Sequence, residues 1–370
     1  MAGNATTGDP GKLGPVWLAG LDDAGNVAWQ RTFTGVNNYV TSLSTTPSGG
    51  FAVLMPSGTS NLGVNILTTD GSGQALWTAS IGSDKQNIKT FGMAVTSQGF
   101  AVVGGYWDPK VPAPGTLNLG RVAHLDGSGQ VVSEASDSEV AVWWMARSTP
   151  GMPIAYCGTL NDHQDQTRCV MESDDGKPIW QQDLALTWHP AHAAVRADGG
   201  LVLARLHEDT GPGRLPETSP GRIAVARLDP HGAVLWQTEH AWTVPAEMHV
   251  EDLVATADGG YALTGAMGDV LLVSAPYIGK AVPPGAIVWY WYALRGDATG
   301  RATWARGYAP GGGSGGQARA LAPMCDGGIV QVGVAQLSNK PQFPSWVVRT
   351  DEMGKAPIAL PGSTTQIAVP

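Results

Sequence analysis

Apolar residues alternate with small or polar ones along most of this chain, in short runs broken by glycine-rich turns. The clearest stretch reads VEDLVATA (250–257), DGG, YALTGAM (261–267), a variable segment, AIVWYWYAL (286–294), RGDATG and RATWARGY (301–308). Period-two alternation of this kind is the signature of β-strands, and four such runs in succession predict a four-stranded antiparallel sheet. The unit recurs. Asp or Ser, two residues, Gly, three residues and Trp appear at Asp22–Gly25–Trp29, Asp70–Gly73–Trp77, Ser173–Gly176–Trp180, Asp229–Gly232–Trp236 and Asp297–Gly300–Trp304. Two further copies, Asp126–Gly129–Ser133 and Asp351–Gly354–Ile358, lose the Trp, and intervals between copies run from 47 to 68 residues. Self-similarity at such a period marks a repeat architecture.

The strands of one repeat are named A (innermost) to D (outermost). The D-x-x-G element then fits a C–D turn, with Asp accepting backbone N–H bonds and Gly at positive φ. The A–B turn reads SGG, SQG or DGG at Gly50, Gly99, Gly200, Gly260 and Gly328, with 150–153 as a deviant copy. The Trp falls on strand D, where it can pack against the next sheet, a structural role. Small four-stranded sheets repeated around an axis make an all-β β-propeller.

The expected fold is a single β-propeller domain over 1–370, seven-bladed with a composite N-/C-terminal blade. Six blades lie near 39–79, 90–135, 139–183, 191–239, 250–308 and 317–359. The seventh combines 16–34 with 363–370 and is incomplete or patched by residues 1–8. A six-bladed ring with a loose extra hairpin is the alternative.

The repeat resembles the quinoprotein-like (PQQ-like) propellers, whose outer strands carry a Gly followed by a docking Trp. It is also similar to bacterial propellers with LD-x-x-G-x-x-x-W and A-x-x-DGG repeats. The likeness covers the chain from Val16 to about Pro370. It implies the fold and not the quinone, because no stacking Trp or metal-held carboxylate matches the quinone-binding pattern. Propellers host unrelated functions, so function has to come from a site.

Composition narrows the field. The chain of 370 residues has 50 Gly, 26 Pro, 14% charged residues and a formal net charge of −9. No basic run stands out, so nucleic acid is not an expected partner. The most apolar region, 270–294, is broken by Pro276, Lys280, Pro283 and Pro284 and is no membrane span. The opening residues carry no secretory signal. Cys157 and Cys169 sit in two strand-like runs that would place them nearly opposite in a hairpin. They either bridge or serve as two small buried residues. A bridge, with the low-Lys, Gly-rich composition, points to a periplasmic, outer-membrane-associated or secreted protein whose leader is absent from this chain.

Candidate chemistry gathers on the B–C and D–A connections, which are long and variable while the other turns are uniform. Six of the eight histidines fall there: His163, His189, His192, His207, His240 and His249. His192 and His249 would enter on neighbouring inner strands. With Glu251 or Glu247 nearby they could serve as acid and base or hold a divalent metal, although no cofactor is expected. Tyr106, Trp107, Asp108, Trp188, Trp242 and Tyr277 could offer a ligand-binding surface or cover strand ends. No G-x-S-x-G elbow, Walker loop, H-E-x-x-H or C-x-x-C occurs. The expectation is a monomeric, extracytoplasmic propeller binding a glycan, peptide or protein on its long-loop face. The alternative is a polysaccharide lyase or hydrolase using His192, His249 and Glu251.

Overall fold

The alternating runs do form strands. A computed structural model describes residues 2–6, 13–22, 27–33, 40–56, 64–81, 87–107, 118–161, 166–186, 188, 190–207, 220–245, 247–269, 288–308, 316–335 and 345–356. The fold is an all-β β-propeller, and the chain divides into two compact units, Met1–His189 and Pro190–Pro370.

The first unit holds four antiparallel sheets. They comprise β1 (Ala2–Thr6), β2 (Leu13–Leu21) and β3 (Val27–Phe33); β4 (Ser42–Thr45), β5 (Phe51–Pro56), β6 (Val64–Thr69) and β7 (Ala75–Ile81); β8 (Asn87–Thr96), β9 (Gly99–Trp107), β10 (Asn118–Asp126) and β11 (Val131–Asp137); and β12 (Val140–Met145), β13 (Ile154–Leu160), β14 (Thr167–Glu172) and β15 (Pro178–Leu184). The second unit holds three sheets. These are β16 (His192–Val195), β17 (Leu201–His207), β18 (Pro220–Leu228) and β19 (Val234–Pro245); β20 (Glu247–Ala255), β21 (Tyr261–Asp269), β22 (Val288–Gly296) and β23 (Ala302–Tyr308); and β24 (Gly316–Pro323), β25 (Ile329–Ala335) and β26 (Ser345–Arg349). Strand order within each sheet follows chain order, so every connection is a simple hairpin.

The seven-bladed expectation is corrected to six. Among the described residues five sheets have four strands and two, β1–β3 and β24–β26, have three, so neither terminal sheet is a complete four-stranded blade by itself. Residues 363–370, expected to supply an innermost strand beside β1–β3, lie outside the described residues. The opening residues do pair: β1 runs antiparallel to β2 with Ala2 opposite Leu18.

Both kinds of turn are built from one device. In the C–D turn after β6, Asp70 Oδ1 accepts the N–H groups of Ser72 and Gln74 at 2.9 Å each. Gly73 donates back to the Asp70 carbonyl at 3.1 Å with φ of 77°. The bond from Gln74 and those from Ser72 hold the Asp70 carboxyl below its usual range. Asp126, Asp229, Asp297 and Asp351 repeat the arrangement. The A–B turns at Thr46–Gly50, Arg196–Gly200, Thr256–Gly260 and Met324–Gly328 close the same backbone ring. Their second glycine is required by close approach: a Cβ there would strike the carbonyl oxygen of Thr69, Leu228, Gly296 or Thr350 on the partner strand.

Four of the C–D turn glycines also receive the outer-strand indole of the preceding repeat. Trp29 lies against Gly73, Trp77 against Gly129, Trp236 against Gly300 and Trp304 against Gly354. A Cβ on Gly129 or Gly354 would stand 2.7 Å from the ring, so the glycine serves turn and docking alike. Two of these indoles are pinned by hydrogen bonds, Trp236 Nε1 to the Ala298 carbonyl at 3.1 Å and Trp304 Nε1 to the Glu352 carbonyl at 2.8 Å. Aromatic neighbours complete the packing: Trp29 with Phe51 and Trp77 with Phe100, at centroid distances of 5.6 and 5.5 Å.

One of the two repeats that lack the Trp shows how the position is filled. Ser133 pairs across the strands with His124, and the His124 ring, not an indole, faces the next turn glycine, Gly176, at 3.3 Å from its Cβ position. His124 Nε2 lies 3.1 Å from Glu172 Oε2, while Glu172 Oε1 accepts the Tyr156 hydroxyl at 2.6 Å. Tyr156 in turn meets Trp143 edge-on at 5.0 Å. On the same two strands, β13 and β14, Cys157 pairs with Cys169 in register and the two form a disulfide with Cα atoms 4.1 Å apart.

Candidate functional site

In the second unit, the turn ends of the sheets are stitched together by arginines. Arg227, Arg295 and Arg349, each on a C strand, pair with the A–B turn carboxylates Asp198, Asp258 and Asp326 at 3.0, 2.8 and 2.9 Å. Arg227 also donates to the Ala298 carbonyl of the next sheet at 2.9 Å. These groups are committed to structure. The open chemistry lies on the inner strands.

Strands β20 and β24 each carry a bulge at a corresponding point, between Val250 and Asp252 in one and between Ala318 and Ala320 in the other. A bulge adds one residue and re-aims its side chain. The extra residues are Glu251 and Arg319, and they pair: Arg319 Nη1 donates to Glu251 Oε2 at 2.9 Å, with the side chains 54% and 23% exposed. Arg319 Nη2 also donates to Gln317 Oε1. The equivalent bulges in the first unit fall at Phe91 in β8 and at Ala141–Val142 in β12. The same backbone feature is thus apolar in one unit and charged in the other.

His192 opens β16, the inner strand beside β20. Its Nε2 lies 2.9 Å from the Val250 carbonyl oxygen, an atom that can only accept, so Nε2 carries the proton and Nδ1 the lone pair. Burial is foremost in pushing the His192 pKa down, and the Asp252 charge, the Val250 bond and Glu251 pull the other way without overcoming it. His192 is a neutral, fixed imidazole at neutral pH. His249 stands exposed on β20, one residue before Val250, and its carbonyl accepts the Tyr292 hydroxyl at 3.1 Å. Asp252 is a connector, with Oδ1 accepting Leu253 N–H and Oδ2 accepting Leu321 N–H at 2.8 Å. The structure therefore brings His192, His249 and Glu251 to adjoining inner strands, as expected, but with the Glu251 carboxylate facing a guanidinium.

The other sequence-derived candidates scatter. His240 and His249, expected on connections, lie on strands. Strand β19 reaches Pro245 and β20 begins at Glu247. His240 sits on the outer strand, with Nε2 2.5 Å from the Tyr261 hydroxyl and a pKa lowered by burial. Trp242 lies on β19 and Glu247 on β20 opposite Gly268. Tyr106 and Trp107 end β9, opposite Leu119 and Asn118, and His207 ends β17 opposite Arg222. The Trp188 indole is buried, 6% exposed. Asp108, His163, His189 and Tyr277 lie outside the described residues. Among the described residues, no group of three or more His, Cys, Asp or Glu side chains is placed to hold a metal ion.

Arg319 and Gln317 were not singled out from the sequence. A lone Arg in QARALAP looks like the polar half of an alternating strand, and only the bulge at Ala318–Ala320 shows that it stands out of register.

No protein-family model matches this chain, and no curated protein matches it. Solved structures do. A hydrazine synthase chain from Kuenenia stuttgartiensis is 9% identical, with a TM-score of 0.52 and 92% of each chain covered. A Trp149Ala mutant of the Synechocystis apocarotenoid oxygenase is 12% identical, with a TM-score of 0.44, covering 85% of this chain and 70% of that one. The β-propeller domain of the Trilobed protease from Pyrococcus furiosus is 10% identical, with a TM-score of 0.37, covering 85% and 97%. At these identities the likeness is one of fold alone, and the β-propeller assignment stands on the chain's own repeated sheets.

Proposed function

We propose that this protein is a binding propeller of an extracytoplasmic compartment, taking a glycan, peptide or protein partner where the inner strands meet the B–C and D–A connections. One observation carries the choice of binding over catalysis. The carboxylates nearest the two inner-strand histidines already have partners, Glu251 in Arg319 and Asp252 in the Leu321 and Leu253 amides. An ion-paired carboxylate makes a poor general base but a well-oriented hydrogen-bonding group. The Cys157–Cys169 bridge supports the compartment, since such bonds persist where the surroundings oxidise. The resemblance to quinoprotein-like propellers is taken as one of scaffold.

The test is capture on immobilised glycan, peptide and envelope-protein panels by the wild-type chain and by Trp107→Ala, Trp242→Ala and His249→Ala variants. Loss of capture with an unchanged melting curve supports the reading. Capture that survives all three substitutions counts against it.

A second reading has its own observation. His192 is neutral, fixed in one tautomer and hydrogen-bonded to Val250, the residue that follows exposed His249, which suits a general base in a polysaccharide lyase or hydrolase. Turnover of a polysaccharide panel that disappears in His192→Gln would favour this reading. Inert wild-type protein would remove it.

A further inference from the structure

On the strength of the binding reading above, we propose that the bulge pair Glu251–Arg319, with Gln317 and His249 beside it, is a subsite for adjacent hydroxyl groups of a neutral glycan. Three features of the inner strands lead there. Both bulges lift a side chain out of the regular alternation at the same height of neighbouring strands, and both deliver a planar, fork-shaped polar group. Carboxylate and guanidinium each present two parallel hydrogen-bonding atoms, the geometry that meets two hydroxyls on neighbouring ring carbons. The pair is held by the single 2.9 Å contact between Arg319 Nη1 and Glu251 Oε2, and Gln317 steadies the guanidinium through Nη2. A site fixed in advance loses little freedom when it binds.

Exposure and charge set the ligand class. Arg319 is 54% exposed and Glu251 23%, so each keeps a face open to solvent while paired. A surface pair of this kind adds little to stability, so its substitution leaves the scaffold standing. The pair is neutral as a unit, offering donors and acceptors side by side. The chain as a whole carries −9, which repels polyanions such as uronate polymers at long range. Half-buried Glu251 and neutral His192 add no net positive potential nearby. A hydroxyl-rich, uncharged ligand satisfies these conditions together.

Calorimetric titration of the whole chain with cellohexaose, laminarihexaose, maltohexaose and mannohexaose tests this, with hexagalacturonate and a peptide library alongside. At least one neutral hexaose should bind. Arg319→Ala and Glu251→Gln should each weaken it tenfold or more, with the melting temperature and far-UV spectrum unchanged. Binding that persists at full strength in both variants overturns the subsite and leaves the binding reading intact. Preference for hexagalacturonate or for peptides overturns the neutral-glycan class. Silence towards all sugars overturns the inference, and silence towards sugars, peptides and proteins alike also removes the binding reading.

Discussion

Replacing Trp304 with Ala removes one of the wedges between neighbouring sheets, and its cost can be worked from the structure. The indole is 9% exposed, lies 2.7 Å from the Cβ position of Gly354 and donates to the Glu352 carbonyl. A buried Trp withdraws roughly 150–250 Å² from water, which at about 25 cal/mol per Å² gives about 4–6 kcal/mol. Residual compactness of the unfolded chain trims that to about 3–5 kcal/mol, in line with Trp-to-Ala changes in other cores. The freed Glu352 carbonyl adds little, because Glu352 is exposed and water can replace the indole. The repeat supplies its own control. Ser133 occupies the same position and is exposed, so Ser133→Ala should change stability by about 0.5 kcal/mol or less. Urea unfolding followed by far-UV circular dichroism measures both. A Trp304→Ala cost under about 1 kcal/mol, or equal costs at the two positions, would refute the docking argument.

Three further outcomes are expected. His124→Ala should destabilise by about 2 kcal/mol, since it leaves Glu172 buried with only Tyr156 as partner, whereas a loss under about 0.5 kcal/mol in the same assay would mean the ring fills no gap. Acid should loosen the turns: the carboxyls of Asp70, Asp126, Asp229 and Asp297 are held low by turn hydrogen bonds. Their contribution is complete above the unfolded carboxyl value near 4 and is lost as pH falls through the lower folded values. Urea midpoints that stay flat from pH 5 to about 2 would contradict this. Reducing the Cys157–Cys169 bridge, which closes a 12-residue separation, should lower stability by about 3 kcal/mol, read as a lower melting temperature with dithiothreitol for the wild type and no shift for Cys157→Ser.

Much of the scaffold was legible because each turn states its own geometry. Asp at the first position and Gly at the fourth encode the C–D hairpin, and a Trp four residues on encodes the docking, as Asp297, Gly300 and Trp304 show. Substitution across a strand was not legible. His124 replaces the lost indole from nine residues upstream of Ser133, opposite it in the sheet but invisible to a linear repeat frame. The placement of His240 and His249 on connections also differed from the structure. Histidines, Trp242 and Pro245 suggested a loop, yet backbone pairing carries β19 to Pro245. At the site, His192 and His249 were placed on adjoining strands by counting repeats. Arg319 was missed because a bulge is a departure from the alternation being counted. The blade count failed where completeness depended on chain termini that carry no full repeat.

The central claim is that four outer-strand indoles lock their sheets to the next C–D turn, and indole proton exchange reads it most directly. In a ¹⁵N-labelled sample the Nε1 protons of Trp236 and Trp304, bonded to Ala298 and Glu352, should exchange slowly and together with the amides of β21 and β22. Exchange of either indole at the rate of a solvent-exposed side chain, while those amides stay protected, would contradict it.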